Sequence, residues 1–133
     1  MTDEAFARAF ENGEIAPGQF DHRAHVRVAW VYLNESASLD EAIERMGSTL
    51  RRFAAAVGRA EKYSEPTTVF WMLQVAAARA AMPDADLDTL LRAYPRLLDK
   101  NLMRASEAPH VIAPDSTDSS SDAPDRPLSG RSA

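Results

Sequence analysis

The chain has 133 residues, an ordinary apolar share of 45% and a formal charge of −5. It has no cysteine, which excludes disulfides, thiolate metal sites and cysteine nucleophiles. Its arginines are interspersed with acids and form no basic run, which argues against nucleic acid as a partner.

The N-terminal MTDEAFARAF lacks a basic segment followed by an apolar one, so it does not read as a secretory leader. No apolar run approaches the ~20 residues of a membrane span. The expectation is a soluble, cytoplasmic protein with no membrane partner.

Thr2 is a fitting N-cap for a first helix, DEAFARAFENG, with acids in its first turn. Phe6 and Phe10 share one face, and Gly13, Pro17 and Gly18 punctuate the loop that follows. Asp21 caps a second helix whose apolar positions Val26, Ala29, Trp30 and Leu33 recur at helical spacing.

Ser38 opens a third helix, and Glu41 three residues later fits a capping box. Leu39, Ile43, Met46, Leu50, Phe53 and Val57 form its stripe, and Gly58 is the stop. A fourth helix starts at SEPTTVFWMLQVAAARAAM, with Pro66 in the first turn, where a missing N–H costs nothing. Its wide apolar arc predicts that it is the central helix. A fifth, DLDTLLRAYPRLLDKNLMRA, should break near Tyr94 because Pro95 cannot continue it.

From Ser106 the composition turns to Pro, Ser and Asp with few apolar residues, too few to offset ordering entropy. The expected organisation is a helical domain over 1–105 and a disordered tail over 106–133, with Val111 and Ile112 as a short piece able to dock. No segment alternates as a strand would. The fold class is all-α, a compact bundle of four to five helices.

The residues with chemistry cluster in two places. FDHRAHVRVAW carries His22 and His25, three apart and so on one helix face. Two imidazoles there could grip one metal ion, or act as a base and its orienting partner. They could equally be a solvated first-turn residue and a core histidine bonded to a carbonyl. EKYSEPTT sets Tyr63, Ser64, Glu65 and Thr67 around the N-terminus of the fourth helix. Capping explains Ser64 and Glu65 but not Tyr63. Trp30 and Trp71 read as packing, Arg51 and Arg52 as solvated, and His110 as a tail residue without a role. No phosphate-loop, dinucleotide or nucleophile-elbow motif occurs.

Taken in order, FDHRAHVRVAW, YSEPTTVFW and LLDKNLM resemble a family of small, mostly uncharacterised bacterial helical proteins. That family's pattern runs F-x-H-x-x-H-[LV]-x-x-A-W, then Y-H-E-T-x-T-x-x-W, then L-L-x-K-x-L. The resemblance covers residues 6 to 104, with a weak echo in PDRPLSG. It implies that the two motifs form one site, with His22, His25 and Glu65 lining a shared pocket and Tyr63 and Thr68 nearby. The family's second-motif histidine is Ser64 here, and its threonine is Pro66, so a histidine ligand at that point would be lost.

On that footing His22, His25 and Glu65 would form a facial metal site suited to Fe, Mn, Zn or Cu, oriented by Asp21 or Tyr63. Glu65 and Tyr63 would be the catalytic groups of an enzyme acting on a small molecule. The alternative is a non-catalytic helical module that binds a small ligand or forms a homodimer, its site degenerate at Ser64 and Pro66.

Overall fold

Each α-helix of Met1–Asp99 opens on a side chain that takes a hydrogen bond from an otherwise unpaired first-turn N–H. In a computed structural model of the chain, which describes residues 1–104, Thr2 accepts from the Ala5 N–H at 3.0 Å ahead of α1 (Asp3–Glu11). Asp21 accepts from Ala24 at 2.9 Å ahead of α2 (His22–Glu35). Ser38 accepts from Glu41 at 3.1 Å ahead of α3 (Leu39–Ala56). Ser64 accepts from Thr67 at 3.3 Å ahead of α4 (Glu65–Ala81). Asp86 accepts from Thr89 at 2.9 Å ahead of α5 (Leu87–Ala93). The return bond of the expected capping box is displaced by one residue: Glu41 Oε1 accepts from the Ala37 N–H, at 3.3 Å.

The described residues are all-α and contain no strand. Contacts divide the chain after Asp99. Of the second unit only residues 100–104 are described, with helix at 102–104. The tail expected over 106–133, with His110, Val111 and Ile112, lies outside the described residues. No helix among those described is long and apolar enough to cross a membrane.

The fifth helix breaks where expected. α5 ends at Ala93, and Pro95–Leu98 follows as a single 3₁₀ turn. The ring of Pro95 removes the N–H that the next helical bond would need and pushes Tyr94 out of the helical region, to ψ 67°.

The centre of the bundle is α2, not α4 as the sequence suggests. α2 packs on α1, α3, α4 and the Pro95–Leu98 turn. It buries Ala24, Val26, Val28, Ala29, Val31, Tyr32 and Leu33, which surround its axis and do not form a single stripe. α4 buries Trp71, Met72, Val75 and Ala78 on one side but leaves Leu73 45% exposed on the other. Its small alanines reach solvent at little cost, so a wide apolar arc did not require wide burial.

Burying Tyr32 requires partners for its hydroxyl. Glu11 Oε2 lies 2.5 Å away and can only accept, so the Tyr32 proton goes there. The Thr49 hydroxyl, 3.1 Å away, then donates to Tyr32. Burial first, and then the Glu11 contact, push Tyr32 up to about 12. Arg45 stacks over its ring at 4.3 Å and joins Arg8, Glu11 and Glu35 in a charge cluster linking α1, α2 and α3. Tyr32→Phe should cost about 1–3 kcal/mol, because Thr49 is left without its acceptor in the interior. Urea denaturation reads it, and an unchanged midpoint would contradict it.

Candidate functional site

The first turn of α2 faces a cavity of about 410 Å³, closed on the other side by α3 and the segment that follows it. Phe20, Leu50, Phe53 and Val57 supply its apolar wall, and His22, His25, Tyr63, Ser64, Thr67 and Thr68 its polar one. The apolar wall continues into the core: Phe20 stacks on Phe10 with ring centroids 4.1 Å apart, and Phe53 packs against both. Leu50 and Phe53 belong to the expected stripe of α3. They are half-buried because the stripe runs past its partner helices and ends on the cavity.

The two histidines share this cavity but differ in their partners. His22 Nε2 lies 2.8 Å from the carbonyl oxygen of Leu97. A carbonyl only accepts, so Nε2 carries the proton and the lone pair of the neutral ring is on Nδ1. The ring also packs edge-on against buried Trp71, with centroids 4.4 Å apart.

His25 Nε2 is shielded from solvent and has no hydrogen-bond partner among the described residues. Burial, reinforced by the neighbouring His22, lowers His25 to about 4, so the ring is neutral near pH 7. The two ring centroids are 6.1 Å apart.

Glu65 does not join them. It lines a neighbouring cavity with Asp40, Glu44, Gly47 and Arg51. Its side chain is 71% exposed and pairs with Arg51 at 3.6 Å. Arg51 is therefore engaged, contrary to the expectation of a merely solvated residue; it also sits 5.3 Å over the Tyr63 ring. Tyr63 and Thr68 line both cavities and form the wall between them.

Among the described residues no three His, Asp or Glu side chains stand where they could hold one metal ion. The expected set of His22, His25 and Glu65 is not gathered here, and His22 Nε2 is already spent on Leu97. These residues do not fit an Fe, Mn, Zn or Cu centre in this arrangement. Ser64 is an N-cap: its Oγ accepts from both the backbone N–H and the hydroxyl of Thr67.

Gly47 sets the position of the dividing wall. A Cβ there would lie 2.9 Å from the Tyr63 hydroxyl and 3.4 Å from Arg51. The obstructing atom is the far end of a side chain that can swing away. Gly47→Ala should therefore not destabilise α3, and helix propensity offers a gain of up to about 1 kcal/mol. It should instead displace the Tyr63 ring, read as shifted Tyr63 ring resonances in NMR. Unmoved resonances would contradict the assignment of Tyr63 to the wall.

Sequence reasoning missed Phe20, Arg59, Lys62 and the cavity role of Leu50, Phe53 and Val57. The available signal was a stripe that continues to Val57, beyond the point where a second apolar helix could cover it. No family model matches the chain, and neither a curated protein nor a solved structure does.

Proposed function

We propose that this protein is a small-molecule binding module whose ligand occupies the cavity at His22 and His25 and hydrogen-bonds to His25. The observation that carries this reading is a cavity with an apolar side, lined by His25, whose Nε2 lies shielded and without a partner among the described residues. A buried polar atom without a partner costs about 1–3 kcal/mol, and a ligand that draws the His25 ring toward the cavity and bonds to it recovers that cost. A cavity of this volume is in the range that small ligands fill.

Binding fits better than acid–base catalysis. A general base works best when it titrates near the operating pH. A ring held near 4 is a weak base at neutral pH but a fixed hydrogen-bonding group. Of the two expected catalytic groups, Tyr63 lines the cavity and Glu65 faces away into the neighbouring one. The resemblance that links the two motifs supports a shared site, with the histidines and Tyr63 on one wall.

The test is a titration with phenol, which offers a small apolar ring and one hydrogen-bonding group, followed by heteronuclear NMR. Amides of Leu50, Phe53, Val57 and Thr67 should shift together, and His25→Phe should abolish the shifts while keeping the spectrum of a folded protein. Phenol that moves none of these amides overturns the reading.

A further inference from the structure

We infer that the ligand is an amphiphilic organic anion: an apolar body, one hydrogen-bonding group at its inner end, and a carboxylate at the mouth met by Arg59 and Lys62. This rests on the binding reading above and names the ligand class.

The argument starts from charge. The sequence has 20 acids against 15 lysines and arginines. Arg8, Arg23, Arg27, Arg45 and Arg51 pair with acids away from this cavity, and other described cations, such as Arg52 and Arg79, stand outside it without an acid. Arg59 and Lys62 both line the cavity, are exposed, and have no ion-pair partner among the described residues.

Their placement is fixed by the backbone. Gly58, with φ +75°, reverses the chain at the end of α3, a conformation that other residues rarely adopt. The Arg59 N–H then donates to the Ala54 carbonyl at 2.7 Å, and the Lys62 N–H to the Arg59 carbonyl at 2.9 Å. The two cations are thus held on one short 3₁₀ turn, Ala60–Lys62, at the edge of the cavity.

The rest of the wall carries little negative charge. Among the described residues Asp21 is the one carboxylate lining the cavity, and its Oδ1 is turned to the Ala24 N–H at the start of α2. One side of the cavity is apolar: Phe20, Leu50, Phe53, Ala54 and Val57. A molecule that meets His25 within and Arg59 and Lys62 without must therefore be apolar between a neutral hydrogen-bonding end and an anionic one.

The probe is para-hydroxyphenylpropanoate, compared by calorimetry with its neutral amide and with phenol. The acid should bind about fivefold tighter than the amide, as expected for a solvent-exposed charge contact. That advantage should shrink in high salt and vanish in Arg59→Gln/Lys62→Gln, where acid and amide should bind alike. If phenol and the amide bind but the acid is no tighter than the amide, the anion assignment is overturned and the binding reading stands. If none of the three binds, the binding reading fails and this inference fails with it.

Discussion

Acidification from pH 7 to pH 4 is expected to weaken the fold by about 3 kcal/mol through His25 alone. The unfolded chain takes up that proton near 6.5, and the folded chain only near 4. Between those values the unfolded state binds more protons, so stability is complete above 6.5 and falls as the pH drops through the window. The cause is first the burial of the ring and second its neighbour His22. Carboxylates enter lower on the scale: Glu35, held below its usual range first by Arg8 and then also by Arg45, adds its share only at more acidic pH.

Urea midpoints of the natural chain and of His25→Phe, each measured at pH 7 and at pH 4.5, isolate the effect. The natural chain should lose much of its midpoint on acidification and the variant far less. At pH 7 the variant should be at least as stable, since an apolar ring replaces a buried nitrogen without a partner. It should also be unable to bind phenol. Equal acid losses in both proteins would mean that His25 is not buried as described.

The second large effect is expected at Leu97. This residue is 2% exposed and belongs to the core, so Leu97→Ala should cost about 2–5 kcal/mol through lost burial and the cavity left behind. Its backbone carbonyl also holds His22. A loosened Pro95–Leu98 turn should therefore release the His22 ring, visible as a changed imidazole signal even where the variant remains folded. A loss below 1 kcal/mol with an unchanged His22 signal would contradict the packing of this turn on α2.

The contact between His22 and Leu97 marks the limit of sequence reasoning for this chain. Its partners are 75 positions apart, and no local pattern connects them. What could be read locally was read: the caps at Thr2, Asp21, Ser38 and Ser64, the stop at Gly58 and the break before Pro95 all depend on residues within a few positions. The centre of the bundle could not be read that way. Apolar width singled out α4, whereas α2 is central because Tyr32 can be buried only when Glu11 and Thr49, on two other helices, complete its hydrogen bonds.

The site was legible in halves. Two histidines on one helix turn, and Tyr63 near them, follow from spacing and from the paired motifs. The side on which Glu65 would fall did not, because a residue in the first turn of α4 can face either neighbouring cavity, and Arg51 draws it away. Arg59 and Lys62 were invisible as a pair because nothing in the sequence says which cations lack acids.

The helix that carries the histidines is also the one on which α1, α3, α4 and the Pro95–Leu98 turn pack. Its first turn borders the cavity, and seven of its residues are buried. Variation is therefore partitioned. Replacements at the buried apolar positions of α2 act on the whole fold, whereas Arg59 and Lys62 are exposed and can change at small cost. A lineage or a designed library that needs a new ligand preference has its freedom on that outer rim, while the histidine wall is inherited with the scaffold.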